Sequence, residues 1–139
     1  MDNEQLLKMY AALKNNPGEL VKAASRNRLI NFARYMQPDL ALEPFHVVYY
    51  TLLDKFAHGE IKKMIVQMPP QHGKSEGSSR KLPAFMLGLD PDKKICIGSY
   101  AATIARDFNR DIQRVIDTPS YRELFPETYL NGSNVVTMA

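Results

Sequence analysis

The sequence contains no tryptophan and a single cysteine, Cys96. One cysteine cannot close an internal disulfide, so the fold must stand on packing alone, and the pattern suits a reducing compartment. Set in the apolar run "KKICIGSY", Cys96 reads as a small buried core residue. No run approaches the roughly 20 apolar residues that a membrane span needs. The opening "MDNEQLLKMY" is acidic at its start, unlike a secretion signal, and this predicts an intracellular protein. Neither sign of charge dominates: 18 basic and 15 acidic residues leave a formal charge of +3, with a pI near 9.0. A surface built to coat nucleic acid is more lopsided, so the balance permits such a partner without demanding one. Repeats and low-complexity segments are also absent.

What is present is ordinary for a globular chain: 139 residues, 45% hydrophobic and 24% charged, enough for one core. The first part reads as helices. "NEQLLKMYAALK" carries Leu6, Leu7, Tyr10 and Leu13 at helical spacing and stops at "NNPG". A second helix is expected from Glu19 to Met36, with Leu20, Ala24, Leu29, Ile30 and Ala33 inward, closed by Gln37-Pro38-Asp39. A third opens at Pro44 and ends at Gly59, the usual asymmetry of helix punctuation.

The character changes at Ile61. "IKKMIVQM" is short, branched and apolar and runs into prolines, as a strand would. A loop follows to Gly73, then a helix from Lys74 that Pro83 bends or breaks. "DPDK" is a turn, "KICIGS" a second strand, and "YAATIARDFNRDIQRVID" a helix with Ile104, Phe108, Ile112, Val115 and Ile116 on one side. "TPSYRELF" starts a shorter helix, and "NGSNVVTMA" has the composition of one more strand. Strand, helix and strand in this order predict an α/β fold with parallel pairing.

The chemistry sits in "MPPQHGKS", Met68 to Ser75. Gly73-Lys74-Ser75 ends a phosphate-binding loop, whose rule is glycine, four residues, then Gly-Lys-Ser/Thr. The first glycine position is Met68, and Pro69 and Pro70 follow it. Gly-Lys-Ser by itself is weak and also reads as a turn glycine, a surface lysine and a capping serine. Position strengthens it, because the loop lies between an expected strand and an expected helix. The backbone N–H groups of His72, Gly73, Lys74 and Ser75 can curl around an anion where the helix dipole also favours negative charge. Pro69 and Pro70 carry no N–H, but they occupy the strand-side limb, where fixed φ stiffens the chain. Lys74 would reach the β- and γ-phosphates, Ser75 would hold Mg²⁺, and Gln71 could approach the γ-phosphate end.

Residues 44–125 as a whole resemble the start of the ATPase domain of the large terminase subunit of tailed bacteriophages. The resemblance is carried by "MPPQHGKS", by "GLDPDKKICIGSY" and by "TPSYRELFP"; a glycine-free loop entrance is common in that family. It implies an incomplete parallel sheet of the phosphate-loop NTPase (RecA-like) type at 44–139, preceded by a helical segment at 1–43. It also implies ATP and Mg²⁺ as cofactors, with Met68, Pro69, Pro70, Gln71, His72, Gly73, Lys74 and Ser75 as the nucleotide loop. Lys74 is then the catalytic phosphate contact and Ser75 the magnesium ligand. Phe45 and His46 in "EPFH" fall where the family has adenine-side contacts, although they read equally as a helix start with one core aromatic. Gln71 is neutral where many relatives carry arginine. Double-stranded DNA, a small terminase subunit and a portal or procapsid are the implied partners. A homo-oligomeric ring is the implied assembly at full length, in the cytoplasm of a bacterial host.

Hydrolysis by such a motor needs an acidic pair at the end of another strand. Asp54 and Asp117 follow apolar runs but lie on helices, and "KICIGS" ends without an acid. At about 30 residues per strand–helix unit, the stretch from Ile61 holds two or three strands. The expectation is therefore an N-terminal piece of the motor, without the acidic strand or the nuclease domain, that does not turn ATP over alone. Two alternatives stay open: a non-enzymatic interaction module, and another phosphate-loop NTPase such as a helicase-like translocase. Ser99 and Tyr100, at the end of the second apolar run, are candidates for coupling nucleotide state to movement, or an ordinary strand end. Arg106, Arg110 and Arg114, interleaved with Asp107 and Asp111, read as a salt-bridged solvated face.

Overall fold

The computed structural model describes Ala11 and residues 15–130. The expected first helix at 3–14, apart from Ala11, and the strand expected in the final nine residues lie outside that range. In chain order the described elements are α1 (Pro17–Asn27), α2 (Leu29–Met36) and α3 (Pro44–Ala57). A π-helical stretch (Glu76–Lys81) then runs directly into α4 (Leu82–Leu89), followed by α5 (Ala102–Ile116) and α6 (Pro119–Leu124).

The two expected strands are not strands, and the expected parallel sheet is absent among the described residues. Among the described residues no β-ladder forms, and none of the amides from Lys62 to Met68 or from Ile95 to Tyr100 donates to another backbone group. Burial nevertheless follows a period of two along the first segment: Met64, Val66 and Met68 are half-buried, while Ile65 and Gln67 are exposed. Ile95 and Ile97 alternate with Cys96 and Gly98 in the same way. Alternation places one side of an extended chain on the core, but a strand exists only through a neighbour that takes its hydrogen bonds. These two segments do not supply each other with one. Cys96 accordingly lies exposed, not buried as expected.

Helices close their own hydrogen bonds, and here they make the core. Phe32 is fully buried at its centre. Its ring packs 5.5 Å from that of Phe85 and 6.0 Å from those of Tyr121 and Phe125, in the tilted and edge-on arrangements that aromatic quadrupoles favour. Gly88 makes room for Phe125, since a Cβ there would lie 2.5 Å from that ring. Tyr121 is buried as well, and its hydroxyl donates to the Ala84 carbonyl at 2.7 Å.

The single helix expected from Glu19 to Met36 is broken at Arg28, whose backbone is extended. The cause is distant in sequence. Asp54 of α3 is buried, and its Oδ1 accepts the Leu29 N–H at 2.7 Å while Oδ2 pairs with Arg28 Nε at 3.2 Å. A carboxylate at a helix N-terminus satisfies an orphan amide and favours the dipole, so α2 starts afresh there. The break also changes which side of α1 turns inward. Leu20 and Ala24 are exposed, and Ser25 is buried, with its hydroxyl donating to the Val21 carbonyl at 2.8 Å.

Candidate functional site

The loop from Met68 to Ser75 leaves the extended segment and turns into the helical stretch at Lys74. Two of its residues have left-handed backbone: Gly73 at φ +76° and Gln71 at φ +61°. Glycine adopts this conformation freely, whereas glutamine does so at a cost, which marks Gln71 as a strained position. His72 between them does not share it. Alternation of hand along a short stretch turns successive N–H groups toward one side, the arrangement of an anion-binding nest. Among the described residues, the amides of Gln71, Gly73, Lys74 and Ser75 donate to no backbone acceptor, and the chain turns at Pro70–Gln71.

Helix α3 holds the loop from behind. Glu43 and His46 form a capping box at its start. The Glu43 N–H donates to His46 Nδ1 at 3.0 Å, so Nδ1 is bare and Nε2 carries the hydrogen, which it donates to the His72 carbonyl at 3.2 Å. His72 folds its own ring back, Nδ1–H donating to the Pro70 carbonyl at 2.7 Å. One turn further on, the Tyr49 hydroxyl donates to the Lys74 carbonyl at 2.6 Å, and the Ser78 hydroxyl donates to the same oxygen at 2.8 Å. Burial pushes the Tyr49 phenol above its ordinary pKa, which keeps it a donor. Gly77 allows this approach, because a Cβ there would sit 2.6 Å from the Tyr49 ring.

Met68, Pro69, Pro70, Gln71, Gly73, Lys74 and Ser75, together with Glu76 and Arg80, line a cleft of about 480 Å³. The cleft gathers all of the expected nucleotide-loop residues except His72, whose carbonyl and ring serve the loop's own geometry. Lys74 is exposed and makes no ion pair among the described residues. Ser75 has helical backbone and makes no capping hydrogen bond, so the capping-serine reading does not hold. Phe45 and His46 do lie beside the loop, the Phe45 ring 4.0 Å from that of His46 and 5.8 Å from that of His72. Phe45 is exposed rather than a core aromatic. Ser99 and Tyr100 are both exposed. On α5, Arg110 pairs with Asp107 at 3.5 Å and Arg114 with Asp111 at 3.4 Å, as on a salt-bridged face, whereas Arg106 donates from Nε to the Ala102 carbonyl at 3.4 Å.

Sequence reasoning missed Tyr49, Gly77, Glu76, Arg80 and the strain at Gln71. A glycine inside a helical run, as in "SEGSS", is the one available signal, since it marks close packing. The partners that give the others their roles lie in another element.

The donor chemistry suits a polyphosphate: among the described residues, amides without backbone acceptors, the Lys74 ammonium without an ion pair and the Ser75 hydroxyl without a capping bond belong to residues lining one cleft. Among the described residues no cluster of three or more His, Cys, Asp or Glu side chains forms a metal site, so a cation there would lean on Ser75 and on phosphate oxygens. No helix of the described residues is long and apolar enough to cross a membrane. No protein-family model matches the chain, and neither does any curated protein or solved structure.

Proposed function

We propose that the chain binds a nucleoside triphosphate with Mg²⁺ at Met68–Ser75, as the nucleotide-binding part of a large terminase subunit, the ATP-driven motor that packages double-stranded DNA in tailed bacteriophages. The observation that carries the nucleotide half of this reading is the loop itself. Gly73 is left-handed at φ +76°, and Lys74 and Ser75 line one cleft with it. The motor half rests on the resemblance of "MPPQHGKS", "GLDPDKKICIGSY" and "TPSYRELFP" to that family. The helical architecture lends it no support, since the sheet on which such loops are usually mounted is absent from the described residues.

In this reading the loop amides and Lys74 hold the phosphates, and Ser75 holds the magnesium ion, which would neutralise charge on the phosphate oxygens. Phe45 offers an exposed ring beside the loop on which a base can stack. DNA, a small terminase subunit, the portal or procapsid, a ring of copies and the host cytoplasm follow from the family and belong to the proposal. Turnover by this chain is not expected. The one carboxylate lining the cleft, Glu76, is engaged by Lys81 at 3.3 Å and Arg80 at 3.5 Å rather than free to polarise water.

A thermal-shift and calorimetric titration with Mg·ATP and Mg·ADP tests the reading. Binding by the wild type that Lys74→Ala reduces at least ~10-fold is expected, from the loss of a charge-assisted contact. Silence with both nucleotides sinks it and favours a non-enzymatic interaction module. That second reading has its own support in an exposed apolar strip, Phe45, Val48 and Leu52 on α3 beside Ile65.

A further inference from the structure

Arg80 was not singled out by the sequence, yet it lines the same cleft as Lys74. Its side chain is fixed on several sides. Nε donates to Asp111 Oδ2 at 2.6 Å, Nη1 donates to Glu76 Oε2 at 3.5 Å, and the guanidinium carbon lies 5.1 Å from the centre of the Phe108 ring. Asp111 is itself steadied by Arg114 at 3.4 Å. The remainder of the five-donor guanidinium fork has no acceptor among the described residues.

The π-helical stretch places it there. With bonding from i to i+5, the fourth and fifth residues after a given position both fall close to it. Glu76 therefore touches Arg80 and Lys81 together, and in an α-helix Lys81 would swing away. Pro83 fits the same geometry: it lacks an N–H, and the widened turn ends just before it, with the Leu82 N–H donating to the Gly77 carbonyl. The result is a second cation beside Lys74, its plane set by a carboxylate and an aromatic face. The Arg80 contacts are half-buried and branch through Glu76 to Lys81 and through Asp111 to Arg114, which leaves the guanidinium in one defined orientation at the cleft.

We propose that Arg80 is a second cationic ligand of the phosphate cleft and that Asp111 is its positioning residue, reaching from α5. The proposal rests on the nucleotide reading of the loop and extends it. A planar fork held at one edge loses little freedom when the other edge takes phosphate oxygens in a bidentate grip. Because the anchor belongs to α5, occupancy of the cleft would also be felt by that helix.

The test is calorimetric titration of the 139-residue chain with Mg·ATP and, separately, with inorganic tripolyphosphate. Wild type would be compared with Lys74→Ala, Arg80→Gln, Arg80→Lys and Asp111→Asn. Arg80→Gln should weaken both probes at least ~10-fold, and Arg80→Lys several-fold because it keeps the charge but not the fork. Asp111→Asn should weaken them ~3-fold, and the salt dependence of binding should flatten most in Arg80→Gln. Loss in Lys74→Ala with wild-type affinity in Arg80→Gln and Asp111→Asn overturns the assignment of Arg80 and leaves the loop reading intact. Silence of the wild type with both probes overturns the two together. Should Arg80→Gln fail to fold, unchanged affinity in both Arg80→Lys and Asp111→Asn overturns the proposal.

Discussion

The aromatic centre and the pair of extended segments are built from equally apolar sequence, yet they are held very differently. Phe32, Phe85 and Tyr121 pack on helices whose backbone is already satisfied, with Phe125 joining them from the C-terminal end of α6. Met64 to Met68 and Ile95 to Ile97 lean on that core with alternate residues only. Ile65 is 89% exposed, and the Ile95–Ile97 segment overlies a cleft of about 420 Å³ walled by Pro83, Leu87 and Ile112. The difference shows that hydrophobic pattern sets which way side chains point, while backbone hydrogen bonding decides whether a segment becomes an element.

Hydrogen exchange gives the widest separation. Amides within α2 and α4 should be protected at least ~1,000-fold more than those of Met64–Met68 and Ile95–Ile97. Protection of the extended amides would dissolve the contrast by showing that they are paired. Substitution comes next. Phe32→Ala should cost about 3–5 kcal/mol by urea denaturation, and Ile65→Ala no more than about 0.5 kcal/mol. Equal costs would mean that the two regions are packed alike.

Asp54→Asn sharpens the comparison within the helical part, because it weakens the contact that divides α1 from α2. It should cost about 2 kcal/mol, and a smaller loss than about 0.5 kcal/mol would show that the break is held by packing alone. The smallest effect belongs to the surface tie between α6 and the first helices. Glu123 accepts from the Tyr35 hydroxyl at 3.0 Å and pairs with Lys22 at 3.2 Å, and these contacts hold its carboxyl below the usual value, Tyr35 contributing most. A depressed carboxylate pKa stabilises the fold above its unfolded value and loses that contribution as pH falls through the folded one. Melting temperature should therefore decline slightly less on acidification in Glu123→Gln than in wild type; a steeper decline would contradict the sign.

Much of the molecule is legible in its sequence. Pro44 and Gly59 frame a helix observed at Pro44–Ala57, and Thr118-Pro119 opens α6, with the Thr118 hydroxyl accepting the Tyr121 N–H. The inward stripe of α5 is placed correctly, with Ile112 and Ile116 buried. At the candidate site, the loop's position ahead of a helix followed from pattern, and Phe45 and His46 came from the family resemblance; the left-handed turn at Gly73 emerged only in the structure. Tyr49 on Lys74, Arg80 on Asp111 and the strained Gln71 were not legible, because nothing near these residues announces their partners.

Sequence alone determined where the chain can be helical and where a Gly-Lys-Ser turn precedes a helix. Those properties depend on residues within a turn of one another. Only the tertiary structure decided that Asp54 splits the Glu19–Met36 run, that Tyr49 and Pro83 accompany a π-helical turn, and that neither alternating segment finds a strand to pair with among the described residues. Each of those outcomes depends on whether a distant group arrives to take a hydrogen bond or a volume, and a local pattern carries no record of that arrival.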